Sequence, residues 1–423
     1  MIPPPWADMI RVFGRIGILS FGGPAAQIAV MHKELVEDRP WLSEESFLRG
    51  LSFCMLLPGP EAMQLATYTG WRMRGTAGGL LAGLLFVLPG AAVIAVLVWL
   101  YAQFGTLPAV QSAFLGVKAA VVVIILQALR RLAGKALKKP LDWVLAGLGF
   151  AALFLLNLPF PLVVLAAACI GLLQRDAAGA APPHTLPARD GSTLRTIAVW
   201  GGLWLLPLIA LSLAGASFLS DIGWFFSKLA VVTFGGAYAV LAYISQTVVT
   251  QFSWISAGQM IDALGLAETT PGPLILVTQF VAMLSGLQEG GFGLFLAAGA
   301  VALWATFMPC FLWIFAAAPY VERIASHPRL GMALKAVTAT VAGVILNLSA
   351  WFLMHVAFAE TGTFETGILQ VPFPVWSSMI TPAALLVLLA PLAAWAVRGN
   401  MLLLLAVMAA AGLLIAEFPF AIS

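Results

Sequence analysis

Apolar residues along this chain arrive in long blocks, with polar residues confined to the gaps between them. The hydrocarbon core of a bilayer is about 30 Å thick and takes roughly 20 apolar helical residues to cross. By that measure about thirteen blocks qualify, near 9–30, 47–70, 76–101, 109–131, 141–157, 160–174, 196–214, 221–246, 257–286, 290–318, 330–357, 377–397 and 400–416. The pair at 141–174 is short and interrupted by Pro159 and Pro161, so it reads either as two thin spans or as one hairpin that does not fully cross. The pattern predicts an all-α polytopic membrane protein, multi-pass in a cell's inner membrane, with the lipid bilayer as its solvent.

Composition agrees: 61% of the 423 residues are hydrophobic and 9% charged, where a soluble domain has about a quarter charged. The net charge of +3 is small and its cations lie between apolar runs, which gives no nucleic-acid footprint. Cys54, Cys169 and Cys310 all sit in apolar runs, too far apart for a metal knuckle, and read as small buried hydrophobes. No metal and no cofactor is expected. The opening MIPPPWADMIRVFGRIG has prolines where a signal peptide needs an apolar core, so the first apolar segment should stay.

Lys and Arg accumulate in cytoplasmic loops. Arg72 and Arg74; Arg130, Arg131, Lys135, Lys138 and Lys139; Arg175, Arg189 and Arg195; Arg323, Arg329 and Lys335; and Arg398 fall in five loops that thirteen spans place on one face. That arrangement puts the N-terminus in the cytoplasm and the C-terminus outside. The stretch at 174–195, rich in Ala, Pro, Gly and charge, has linker chemistry. It divides the chain into an N-terminal repeat (1–173), a cytoplasmic linker (174–195) and a C-terminal repeat (196–423).

The halves are copies. FGRIGILSFGGPAAQIA (13–29) aligns with FSKLAVVTFGGAYAVLA (226–242) at an offset of 213, and the same offset carries Trp41 onto Trp254 and Pro58-Gly59-Pro60 onto Pro271-Gly272-Pro273. Thirteen of the 48 positions from Phe13 to Pro60 are identical, including both FGG and both PGP triplets, which scattered apolar coincidence would not arrange. Farther on, at an offset of 220, Pro89 meets Pro309. Seven segments separate the two starts, and an odd number reverses direction, so the copies should be inverted-topology repeats, as in many secondary transporters. Proline and glycine break helices, and in a membrane such breaks are tolerated where the backbone is buried in protein or lines a wet cavity. Helix N-terminal ends converging at four breaks would form an anion site.

The candidate substrate-binding residues follow: Gly22, Gly23, Pro24, Gly59, Pro60 and Gln64 in the first copy, and Gly235, Gly236, Thr270, Gly272, Pro273 and Gln279 in the second. Arg15 and Lys228 occupy matching positions six residues before Phe21 and Phe234; each either attracts an anion or snorkels to the interface. Glu61 directly follows the first PGP and Glu268 precedes the second. Glu61 reads either as a helix cap or, with Glu268, as a proton-coupling group. Lys118, Gln127 and Asn347 sit in a later repeated helix pair and are further pathway candidates. The chain has no HExxH, no GxSxG and only four scattered histidines, so nothing points to an intramembrane enzyme. The small-residue stretch GTAGGLLAGLL (75–85) could pair two chains as a homodimer or pack internally.

With SFGGP, W-L-S, LPGPEAMQLATYTGW and FVLPG in the first half and TFGGAYAVLAY, W-I-S and TPGPLILVTQF in the second, the chain resembles the chromate ion transporter family in its long, two-domain form. The resemblance implies export of chromate, with resistance to it, and in some members a link to sulfate. Carried over by motif, it marks Gly22, Gly23, Pro24, Pro58, Gly59, Pro60, Glu61 and Gln64, then Gly235, Gly236, Pro271, Gly272, Pro273 and Gln279. Ala237 stands where Pro24 stands in the first copy, so the half-sites differ.

Overall fold

The computed structural model describes residues 3–174, 190–234, 237–321, 324 and 328–416. They are almost entirely helical: α1 (Trp6–Leu19), α2 (Gly23–His32), α3 (Glu44–Cys54), α4 (Glu61–Phe104), α5 (Pro108–Ala136), α6 (Pro140–Phe154), α7 (Phe160–Leu173), α8 (Asp190–Leu213), α9 (Ser217–Val232), α10 (Ala237–Gln246), α11 (Ala257–Thr269), α12 (Val277–Ala317), α13 (Pro328–Ala357), α14 (Thr381–Ala396) and α15 (Met401–Ala416). Five stretches are long and apolar enough to cross a membrane, Glu61–Phe104, Pro108–Ala136, Thr193–Leu213, Leu274–Tyr320 and Arg329–Ala357, with shorter apolar helices beside them. In Thr193–Leu213 only 11% of the most apolar window is buried. A helix so apolar and so bare is at home in lipid, and the molecule is a polytopic membrane protein.

Several expected blocks prove to be two helices. The block at 9–30 is α1 and α2, the block at 221–246 is α9 and α10, and the stretches at 47–70 and 257–286 are cut at PGP. The 44 residues of α4 would run about 66 Å if straight, twice the hydrocarbon thickness. Arg74 and Gly75 leave the helical conformation, Gly75 at φ 63. The chain turns back there, with Gly70 against Gly78 and Thr67 against Gly79 and Gly83, where any Cβ would collide. Helix α12 does the same at Gly290 and Gly291 (φ 75), with Gly286 against Leu294 and Met283 against Gly299. The small-residue stretch at 75–85 is thus used inside the fold, Gly79 and Gly83 also meeting Phe315 and Phe311.

The chain forms two compact units, each drawing on both sequence halves: Met1–Val98, Leu172–Ala237 and Thr270–Leu334 make the first, and Trp99–Gly171, Tyr238–Thr269 and Lys335–Ser423 the second. In the first, α12 packs with α8 and α9, α4 meets α1 at Gly17 and α12 at Phe311 and Phe315, and Phe13, Phe86, Phe226 and Phe280 are buried. In the second, α5 lies along α15, Gly116 meeting the Met408 carbonyl and Gly412 that of Ser112. There too α6 crosses α13, where Gly343 meets Ala146. The stretch at 358–373, a plain loop by its sequence, holds a hairpin of β1 (Thr361–Thr366) and β2 (Leu369–Pro374), antiparallel with Thr363 opposite Pro372. The linker expected at 174–195 lies outside the described residues from 175 to 189, with 190–195 already in α8. Cys54 and Cys310 are buried as expected, but Cys169 is exposed on α7, whose apolar residues outnumber the positions its neighbours cover.

Candidate functional site

Both triplet motifs fall where helices stop. Helix α1 ends at Leu19, and Gly22 and Gly23 follow at φ 84 and 80 before Pro24 opens α2. Helix α3 ends at Cys54 and α4 starts at Glu61, directly after Pro58-Gly59-Pro60. Helix α9 ends at Val232; Gly235 and Gly236, the second glycine pair, lie outside the described residues. Helix α11 ends at Thr269, and Pro271-Gly272-Pro273 leads through a short 3-10 turn, Leu274–Leu276, into α12.

These breaks are laced together in the first unit by a reciprocal pair of backbone bonds. Gly59 N–H donates to the Thr233 carbonyl at 2.8 Å, and Gly272 N–H donates to the Ser20 carbonyl at 2.8 Å. Ser20 and Thr233 are themselves equivalent at the offset of 213. Each uses its hydroxyl to bond the carbonyl four residues back, Ser20 to Ile16 and Thr233 to Leu229, both at 2.6 Å. So the PGP break of each copy is tied to the glycine break of the other. The amide can reach because Gly59 and Gly272 hold φ 119 and 90, where an L side chain is strained.

Two buried glutamines hold the loops. Gln64 Nε2 donates to the Pro58 carbonyl at 2.6 Å, and Gln27 Nε2 to the Gly272 carbonyl, also at 2.6 Å. Gln27 is 1% exposed, and its Oε1, like that of Gln64, is buried with no hydrogen-bond partner. A small cavity of about 20 Å³ lies among Gln27, Gly59, Glu61, Thr233, Pro273 and Leu274, with Pro24, Pro60, Ala62 and Ile275 completing it. The first turns of α2 and α4 and of the turn into α12 therefore face one small space. Helix starts carry unpaired N–H groups and positive dipole ends, which suit an anion. The cavity as it stands holds about one water, so an oxyanion requires the breaks to move apart.

Of the sequence candidates, Pro24, Gly59, Pro60, Glu61 and Pro273 line this cavity. Gln64 and Gly272 stand behind it, each bonded to it through the loops. Thr270 is buried in the same unit, and Gln279, also buried, donates to the Ala91 carbonyl at 3.0 Å, two residues beyond the kink proline Pro89. Arg15 lies elsewhere: its Nε pairs with Glu34 at 3.2 Å, and the same buried carboxylate takes Arg39 at 2.5 Å. Lys228 is exposed on α9 and does not line the cavity.

Glu268 belongs to the second unit, where it is buried and accepts the Tyr238 hydroxyl at 2.8 Å. One turn and a half earlier on α11, Asp262 is buried between the Tyr101 hydroxyl at 2.8 Å and Lys118 Nζ at 3.4 Å. Asp262, Tyr101 and Gln27 escape the sequence reading. The one available signal for Asp262 was a lone acid inside an apolar run, a functional position by default in a membrane. Gln127 lines a wide cavity with Arg130, Arg131 and Arg398, and Asn347 another with Asn157, Gln246 and His355.

Broken helices whose ends face one small cavity, within a polytopic helical molecule, are the architecture in which many secondary transporters hold their substrate. The chain belongs to the chromate transporter family, whose description matches residues 7–172 and 220–414. It is 34% identical over 361 residues to the chromate transport protein of Pseudomonas aeruginosa, covering 81% of this chain and 80% of that one. It is 33% identical to the chromate transport protein of Cupriavidus metallidurans, covering 80% of each. It is 31% identical to a probable chromate transport protein of Synechococcus elongatus, covering 80% and 82%. No solved structure matches the chain.

Proposed function

We propose that the protein carries chromate out of the cell across the plasma membrane by alternating access, with resistance to chromate as the result. The observation that carries this is the reciprocal pair of amide bonds around the cavity. When residue i of one copy bonds residue j of the other and j bonds i, the relation between them is a two-fold axis rather than a translation. A two-fold axis in the membrane plane is the symmetry of inverted repeats, with the substrate at the shared breaks near the midplane. Rocking of one copy against the other lengthens one of the two bonds and opens the pocket to one side.

The membrane potential suffices as a driving force. Moving a negative charge outward across about 100 mV releases roughly 2.3 kcal/mol, and a dianion about 4.6 kcal/mol, over three decades of gradient. Proton coupling through Glu61 or Glu268 is the other source. The basic loops set the N-terminus inside and the C-terminus outside; Arg130, Arg131 and Arg398 lining one cavity supports placing their two loops on one face. Sulfate or another tetrahedral oxyanion is the second substrate reading on the same scaffold. Proteoliposomes loaded with chromate or with sulfate, held at an imposed potential, test this: chromate efflux is expected, and transport of neither ion refutes the reading.

A further inference from the structure

We propose that the cavity between α2 and α4 takes its oxyanion singly protonated, the O–H of the ligand donating to Gln27 Oε1. This rests on the transport reading above and deepens it. The direction of the Gln27 amide is fixed, because its nitrogen bonds the Gly272 carbonyl, which can only accept. Its oxygen is therefore turned to the remaining side, buried and without a donor. The Thr233 hydroxyl, the other neutral hydrogen-bonding side chain in the lining, already donates to Leu229.

A buried acceptor left unmet is costly, and it asks the occupant for a hydrogen. A fully ionised tetrahedral oxyanion has four acceptors and none to give, and it would set a second negative charge beside Glu61. A hydrogen oxyanion has both: its bare oxygens accept from the helix-start N–H groups and its O–H meets Gln27. Hydrogen chromate is a weak acid that persists near neutral pH, whereas hydrogen sulfate is a strong one and does not. A site that requires the O–H thus prefers chromate to sulfate without having to gauge the size of either ion.

The other titratable groups around Gln27 are few. Glu61 lines the cavity from α4, Cys54 of α3 lies within electrostatic reach of Glu61, and Cys310 of α12 lies beside Gly59. Arg15 of α1 and Glu34 after α2 are closed on each other. Glu61 is the rival carrier of the proton.

The test uses the full chain in proteoliposomes, at fixed total chromate and imposed potential, with pH stepped across the hydrogen chromate–chromate transition. Wild-type flux should fall in proportion to hydrogen chromate as pH rises. The gradient at balance should be tenfold per about 59 mV, the value for one charge, rather than per about 30 mV, the value for two. Glu61→Gln, whatever it does to the absolute flux, should keep the shape of this pH profile. Gln27→Leu, and Gln27→Met, which keeps the volume, should flatten it and lower the chromate-over-sulfate preference roughly tenfold, the worth of one buried hydrogen bond. A wild-type flux that is flat or rises with pH, or two charges per ion, overturns the proposal. So does a Glu61→Gln variant that alone loses the pH profile, since the proton then belongs to Glu61. Absence of chromate flux at every pH takes down the transport reading, and this proposal with it.

Discussion

Replacing Gly59 by alanine should damage the protein more than the same change at Gly272, although the two occupy equivalent positions. Both glycines hold positive φ, 119 and 90, which costs an L residue roughly 1–2 kcal/mol. The new methyl group separates them. At Gly59 it would lie 2.8 Å from Gln64 Nε2 and 2.9 Å from Cys310 Sγ, both buried and hemmed in. At Gly272 it would meet the tip of Leu276 at 3.2 Å and Gly90 Cα at 3.5 Å, which a small rotation relieves. Overpacking of the first kind adds about 1–3 kcal/mol, so Gly59→Ala should cost about 2–5 kcal/mol and Gly272→Ala about 1–2 kcal/mol. Thermal unfolding of the purified protein at one scan rate, with chromate flux alongside, measures both. Cys310→Ala in the Gly59→Ala background should restore part of the loss, because one of the two close contacts is then gone. Equal effects at the two glycines, or no rescue by Cys310→Ala, would refute the packing argument.

His32 lies outside the spans, bonded to Glu44 at 2.6 Å and Glu37 at 3.0 Å, and the Glu44 bond foremost raises its pKa above the usual 6.5. The stability it contributes is present below that value and is lost as pH rises through the raised one, so melting temperature should fall across that window in wild type but not in His32→Gln. Glu34→Gln should destabilise by only about 1 kcal/mol, because Arg15 and Arg39, which lose their shared partner, are 58% and 35% exposed and water replaces it, whereas Arg15→Gln should leave chromate affinity within twofold; a tenfold rise in KM with normal folding would restore Arg15 to the site. Asp262→Asn should lower folded yield by stranding Lys118, and adding Lys118→Met should recover it, checked by size-exclusion profiles.

The sequence carries the breaks well because their cause is local: proline and glycine end a helix wherever they fall, so Gly22, Gly59 and Gly272 mark the interruptions without knowledge of the fold. It carries turn positions too, since Gly75 sits between two apolar runs and Gly291 at the edge of one. What it does not carry is which side chains meet. Asp262 finds Tyr101 across 161 residues and Gln27 finds Gly272 across 245, pairings that no period in the chain announces. Arg15 looked like an anion ligand because it and Lys228 are equivalent, yet equivalence fixes only the backbone position; whether a carboxylate such as Glu34 lies nearby is decided by the turn after α2, which Lys228 lacks an acidic counterpart of. The hairpin at 361–374 hides for the opposite reason: TGTFET is rich in strand-forming Thr and Phe, but with Phe364 as its one large apolar residue it shows no alternation and reads as loop.

Backbone and side chains obey different symmetries at the cavity, and the difference bears on mechanism. The amide bonds of Gly59 and Gly272 are exchanged between copies with equal length, as the proposed two-fold relation requires. Moving Gln27, Glu61 and Gln64 by 213 residues reaches Val240, Leu274 and Val277, so most of the polar chemistry comes from the first copy, and the second adds Thr233 to an otherwise apolar wall of Pro273, Leu274 and Ile275. Under the proposed alternating access, a two-fold scaffold would make the inward-open and outward-open states rotational equivalents of one another, of similar energy. One-sided chemistry would then keep the ligand on the first copy through that exchange instead of passing it between two equal sites. Restoring the symmetry tests this: Leu274→Gln adds a polar side chain to the part of the cavity wall that the second copy supplies, and if the ligand stays with the first copy the substitution should slow transport by creating a competing resting place, with chromate affinity unchanged or tighter. A faster transporter would mean that the ligand is handed across, and that the apolar wall is a constraint rather than a design.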